Sequence, residues 1–131
     1  MDKEKLSSAA VRFYDLVAKL RGPDGCPWDA KQDKVSMIKY LMGEAKEVVE
    51  AVEQNDHQHV CEELGDLLFH IVFLSSIYEG EQAFDLVDVI EQIERKMIGR
   101  HPHVFGDVKF KDAEEVSANW QRLKDNERKD K

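Results

Sequence analysis

Apolar residues recur at helical spacing along most of the chain. Leu6, Ala9, Ala10, Phe13, Leu16, Val17 and Leu20 predict an amphipathic helix over about residues 5 to 21, which Gly22-Pro23 ends. Val35, Ile38, Leu41, Met42, Ala45, Val48, Val49 and Val52 form a second, broader stripe, with Asp33 as its expected N-cap. Gln54-Asn55-Asp56 breaks it, because Asn55 tolerates a left-handed turn and Asp56 can cap the next helix. This third helix starts near His57, is almost continuously apolar from Leu67 to Leu74, and stops at Gly80. A helix apolar on all sides is buried on all sides. In a chain of 131 residues the other helices leave part of it uncovered, which predicts burial against a second subunit. Leu86, Val89, Ile90, Ile93 and Met97 mark a fourth helix, with Asp85 as N-cap, Asp88 in the reciprocal capping position and Phe84 stapled onto Val89. Asp112, with Glu115 three residues on, opens a last helix with Val116, Trp120 and Leu123 on one side. From Lys124 to Lys131 the chain is almost all charge and is expected to fray. The reading is an all-α bundle of about five helices in one domain spanning residues 1–131, with residues 22–29 and 100–106 as non-helical loops.

Two acidic words stand inside this pattern: Glu44-Ala45-Lys46-Glu47 and Glu63-Leu64-Gly65-Asp66. On a helix, an i, i+3 spacing puts both carboxylates of a word on one face. Glu47 and Glu63 are equidistant from Asn55 in sequence, and so are Glu44 and Asp66. If Asn55 turns an antiparallel hairpin, Glu47 faces Glu63 and Glu44 faces Asp66. The alternative is a solvated charged face. Rotating by about 100° per residue from Glu44 brings Tyr40, Ala51, Met37, Val48 and Leu41 within about 60° of it, while Lys39, Lys46 and Glu50 cluster opposite. Glu44 therefore lies in the apolar arc and Glu47 at its edge. Four carboxylates converging in such surroundings require a positive partner. Hard oxygens without cysteine suit Mg²⁺, or Mn²⁺ as a substitute, and point to a metal-dependent phosphate enzyme with its site between two antiparallel helices. A di-iron carboxylate bundle fits less well, because it wants Glu-x-x-His and the second word ends in Asp66. Gly65 either permits close helix packing or opens room beside Asp66.

Composition narrows the partners. A formal net charge of −8 argues against nucleic-acid binding by a basic surface, yet leaves a nucleotide substrate open, since bound divalent cations invert the local field. No stretch approaches the apolar length of a membrane span and no signal-type run comes after Met1, so a cytoplasmic protein is expected. Cys26 and Cys61 fit reduced thiols, and Cys61 with His57 and His59 matches no standard zinc spacing. Trp28, stranded among turn residues, either plugs the end of the bundle or stacks on a nucleobase. Lys96 and Arg100 either complement the C-terminal dipole of their helix or reach phosphates. His101 and His103, alternating around Pro102, either bind metal or pack a loop.

Gly22-Pro23-Asp24-Gly25-Cys26-Pro27-Trp28-Asp29 with Gln32, the two acidic words, Arg100-His101-Pro102-His103-Val104-Phe105 and Asn119-Trp120 together resemble the MazG nucleoside triphosphate pyrophosphohydrolases, over about Leu20 to Lys124. The resemblance implies an all-α bundle that dimerises, binds Mg²⁺ through Glu44, Glu47, Glu63 and Asp66, and hydrolyses nucleoside triphosphates to monophosphate and pyrophosphate. It leaves open whether dimers pair into tetramers, and it fits a role in cleaning or regulating the nucleotide pool. For such a reaction Glu47, at the edge of the apolar arc, is the candidate general base. Lys96 and Arg100 offset phosphate charge, and Trp28, Asn119 and Trp120 contact the base or its surroundings. The chain departs from the family pattern at Gly43, where the first acidic word commonly opens with a second Glu. That departure keeps a rival alive: a catalytically weak helical interaction or regulatory module that retains the acidic metal site.

Overall fold

The computed structural model describes residues 1–129. It is all-helical among those residues: α1 Lys3–Arg21, α2 Pro27–Lys31, α3 Ile38–Gln54, α4 His57–Gly80, α5 Leu86–Arg100, α6 Pro102–Phe105, α7 Ala113–Ala118 and α8 Trp120–Lys129. Four of the five long segments expected from periodicity are present as α1, α3, α4 and α5, the fifth is split into α7 and α8, and the extra elements are short. Asp2 caps α1 by accepting from the backbone N–H groups of Glu4 and Lys5 at 3.0 and 3.2 Å. Asp56 caps α4 by accepting from His59 N–H at 3.2 Å. Between them Asn55 takes the left-handed conformation, φ 55°, that turns α3 back into α4.

Three expectations are corrected. Residues 22–29 and 100–106 are not wholly irregular, because Pro27 and Pro102 each start a short helix in place of ending one. Proline is compatible with a first helical turn, where its missing N–H costs nothing. Asp33 does not cap α3, which begins at Ile38. Its carboxylate accepts from Ser36 N–H at 2.8 Å and its own N–H donates to Ser36 Oγ at 3.0 Å, closing a separate turn that does not propagate. The last helix is broken at Asn119, whose side-chain amide donates back to Glu115 O at 2.7 Å. Asp112 does cap its first half, accepting from Glu115 N–H at 2.9 Å. Lys124, from which the charged tail is expected to fray, lies in α8, and residues 130–131 lie outside the described residues.

The chain divides into two compact units, Met1–Leu86 and Val87–Lys131. In the first, α3 packs along α4, and α1 packs on α2 and α4. The core consists of Val17, Met37, Val72, Phe73 and Ile77, with Phe13, Tyr40, Phe69, Leu74 and Leu86 against it. Burying side chains such as Val17 and Phe73 contributes about 1.5–3 kcal/mol each. Tyr14 ties α1 to the end of α4, its hydroxyl donating to Glu79 at 2.6 Å. Gln32 locks the α1–α3 connection: it donates to Trp28 O at 2.9 Å, accepts from Ser36 Oγ at 2.8 Å, and its carbonyl accepts from Arg21 at 3.2 Å. In the second unit Leu123 is fully enclosed, 2% exposed.

Helix α4 is not buried on all sides within the chain. Leu64 and Leu68 are each 50% exposed and Ile71 is 40% exposed. Gly65 does not serve close helix packing, since a Cβ added there meets nothing within 4 Å. It lines an apolar groove of about 380 Å³ with Leu6, Ala9, Ala10, Phe13 and Leu68.

Candidate metal centre

The α3–α4 hairpin brings both acidic words together. One carboxylate oxygen from each of Glu44, Glu47, Glu63 and Asp66 lies within 4.8 Å of the others. The helical face dictates their depths. Glu63 is buried, Glu44 is half-buried, and Glu47 and Asp66 are exposed, so the cluster has a closed inner pair and an open outer pair. Tyr40 and Ala51, one turn or two from Glu44, and Leu67, one turn from Glu63, are themselves partly or fully buried.

Crowding changes the acidity of the inner pair. The Glu63 carboxyl is pushed up to about 7, first by the hydrogen bond it shares with Glu47, then by burial, then by the charges of Glu47 and Asp66, with His59 opposing. Glu44 is also held above the ordinary carboxylate range, first by burial and then by the charges of Glu47 and Asp66, with His70 opposing. Two carboxylates share a proton when nothing else positive lies between them. Oε2 of Glu44 and Oε2 of Glu63 are both buried with no hydrogen-bond donor. A buried, donorless carboxylate oxygen costs free energy that a cation would offset. The set therefore fits a divalent cation: four hard oxygen ligands, two of them otherwise orphaned, and no thiolate or imidazole among them. Among the described residues, Cys61, His57 and His59 do not form a comparable group, and neither do His101 and His103.

Around this centre lies a chain of rings. His70, one turn beyond Asp66, hydrogen-bonds through Nδ1–H to Asp66 O at 2.8 Å and stacks on Tyr40, 6.3 Å between centroids at 28°. Trp28 meets Tyr40 edge-on at 5.8 Å and 71°. It does not plug the bundle, for it is 48% exposed. His59, which periodicity did not single out, hydrogen-bonds Glu63 Oε1 at 3.2 Å through Nε2. Its i, i+4 spacing to Glu63 was the available signal.

The other singled-out residues belong to the second unit. Lys96 and Arg100 lie near the end of α5. The Arg100 guanidinium sits 5.8 Å over the Trp120 ring, Lys124 Nζ sits 5.7 Å from the same ring, and His101 meets it edge-on at 6.1 Å. Asn119 holds the α7–α8 break. His101 and His103 pack as a loop, 5.3 Å apart, with His101 Nδ1–H donating to Met97 O at 2.6 Å and His103 5.0 Å from Phe110.

Comparison with known proteins gives a consistent result. The MazG nucleotide pyrophosphohydrolase domain matches residues 32–105. The chain is 46% identical over 112 residues to YabN, an uncharacterized protein of Bacillus subtilis (strain 168), covering 86% of this chain and 23% of that protein. It is 39% identical over 129 residues to the nucleoside triphosphate pyrophosphohydrolase/pyrophosphatase MazG of Thermotoga maritima, covering 94% and 51%. Against the nucleoside triphosphate pyrophosphohydrolase of Escherichia coli (strain K12) the identity is 38% over 121 residues, covering 92% and 46%. The chain thus spans between 23% and 51% of the length of these relatives. The crystal structure of a mazG-related protein from Thermotoga maritima superposes with a TM-score of 0.71 at 29% identity, covering 87% of this chain and 97% of that one.

Proposed function

We propose, from the premise that this chain belongs to the MazG nucleotide pyrophosphohydrolase family, that it hydrolyses nucleoside triphosphates to nucleoside monophosphate and pyrophosphate with Mg²⁺ as its cation. One observation supports this most strongly: four carboxylates within 4.8 Å, two of whose buried oxygens lack any donor. Glu44 and Glu63 would hold the cation from the buried side of the cluster, and Glu47 and Asp66 from the exposed side. The bound cation, Mg²⁺ or Mn²⁺ in its place, supplies Lewis-acid polarisation of the phosphate and a template for the triphosphate.

The chain's own residues do the rest. Glu47, exposed at the open side of the cluster, takes the proton of the water that attacks the α-phosphorus. The new bond forms to that water oxygen, the bond from α-phosphorus to the α,β-bridging oxygen breaks, and pyrophosphate leaves. Lys96 and Arg100 are assigned to offset phosphate charge, and Trp28, Asn119 and Trp120 to the base and its surroundings. Lys96 and Arg100 are assigned from their charge and i, i+4 spacing on α5, and Trp28, Asn119 and Trp120 from their place in the motifs. Trp28 has the required character, a half-exposed indole backed by Tyr40.

Residues 1–131 act as one functional domain in this reading, and the enzyme works in the cytoplasm on the nucleotide pool. Two copies associate, with the exposed Leu64, Leu68 and Ile71 of α4 as the support for a covered face. Glu44→Gln and Glu63→Gln test the site: each is expected to abolish metal-dependent turnover while leaving the helical circular-dichroism signal intact. Retained turnover in either would sink the four-carboxylate site. Metal binding without turnover on any standard or modified nucleotide would replace the enzyme by the interaction module.

A further inference from the structure

Glu63 is the most buried member of the cluster, yet only one of its oxygens is orphaned. The other, Oε1, is engaged by His59 Nε2 at 3.2 Å. An ionised carboxylate only accepts, so when Glu63 serves a cation the ring nitrogen facing it carries the proton and donates. His59 is itself fixed from the other end. The Asp56 carboxylate accepts from its backbone N–H at 3.2 Å, and Asp56 comes directly after the left-handed Asn55 that turns the hairpin. A continuous path runs from the turn through the cap and the imidazole to the innermost carboxylate.

As a contribution to stability this pair is small. An i, i+4 ion pair on a helix gives only a few tenths of a kcal/mol, and the His59 side chain is 35% exposed. Its geometric effect is larger, because a donor on Oε1 orients the carboxylate and leaves Oε2 as the oxygen without a protein donor. We propose that His59 is a positioning residue for the metal centre, holding Glu63 through Oε1 so that Oε2 is available to the cation. The inference rests on the metal reading above and adds a residue outside the four-carboxylate set. Partners of this kind orient metal ligands, and their loss typically weakens metal affinity about 10–100-fold.

The test is Mn²⁺ binding to the metal-free full chain, read from the electron paramagnetic resonance signal of the free aquo ion, for wild type, His59→Ala and His59→Gln. Gln places an amide N–H as many bonds from Cα as His places Nε2, so it can restore the donor. His59→Ala is expected to bind Mn²⁺ about tenfold or more weakly, with His59→Gln close to wild type. Turnover of His59→Ala should need more metal yet approach the wild-type kcat at saturation. Equal Mn²⁺ affinity in wild type and His59→Ala would overturn the assignment and leave the metal centre standing. A wild type that binds no Mn²⁺ would overturn the metal reading and this inference with it. Should alanine disturb the helix, His59→Leu takes its place, and a His59→Gln chain no tighter than His59→Leu overturns the proposal.

Discussion

The first perturbation to make is Glu63→Gln, read by thermal unfolding with and without Mg²⁺ at two pH values. In the metal-free chain the Glu63 carboxyl titrates near 7, well above its ordinary range, because it shares a proton with Glu47 in a partly dry cluster. A folded-state pKa raised above the unfolded value contributes stability that is complete below about pH 4.5 and is lost as pH rises through about 7. Metal-free wild type should therefore melt lower at pH 8 than at pH 6. Glu63→Gln, which keeps the shape and has no proton to lose, should shed less stability over that interval. Mg²⁺ reverses the order. At a free concentration of about 100 Kd it stabilises a binding-competent chain by about 2.7 kcal/mol. With an unfolding entropy of about 2 cal/mol/K per residue, 131 residues convert this into a rise of about 10 °C. The rise belongs to wild type and should be larger at pH 8, where protons no longer compete with the cation. Glu63→Gln should show little of it. An equal Mg²⁺ response in wild type and variant, or none in either, would refute the reasoning.

The same geometry gives further expectations. Gly25→Ala should destabilise by at least about 1–3 kcal/mol in urea unfolding, because its Cβ would lie 2.1 Å from Lys19 O, which is backbone and cannot swing away. Gly43→Ala should do the opposite, raising stability by up to about 1 kcal/mol, since Gly43 lies inside α3 and an added Cβ meets nothing within 4 Å. The Tyr14 phenol, pushed up to about 12 chiefly by its hydrogen bond to Glu79, should ionise late in a tyrosinate absorbance titration. The stability it adds is present below about pH 10 and is lost as pH rises through about 12. Tyr14→Phe should remove about 1 kcal/mol at neutral pH, given the partial exposure of the pair, and should bring no difference once the wild-type phenol has ionised.

The hairpin was legible because helical period and turn chemistry agree there. Asn55 stands midway between two acidic words whose four carboxylates fall on facing surfaces, and it takes the left-handed conformation that the turn needs. Depth was legible too, since the arc containing Tyr40, Ala51 and Val48 places Glu44 inward. The short helices at Pro27 and Pro102 were not, because the same proline ends one helix or starts another, and only backbone hydrogen bonds decide which. Asp33 misled for a related reason. Its side chain finds Ser36 nearby, and a local Asp–Ser pair satisfies the backbone as well as a helix cap does. In the sequence His59 reads only as a zinc ligand beside Cys61 and His57, and its bond to Glu63 was not legible because an imidazole on the first turn of a helix looks like ordinary surface. Its meaning comes from holding Oε1 of a carboxylate whose Oε2 has no donor. The apolar run of α4 carries more surface than the chain itself covers, as the exposure of Leu64, Leu68 and Ile71 shows.

Product analysis by phosphorus NMR tests the central claim most directly. The purified chain is incubated with a panel of nucleoside triphosphates and Mg²⁺, with a chelator as the paired control. The account predicts nucleoside monophosphate and pyrophosphate, formed only when metal is present. Nucleoside diphosphate and orthophosphate would mean that a different bond is cut, and would contradict it.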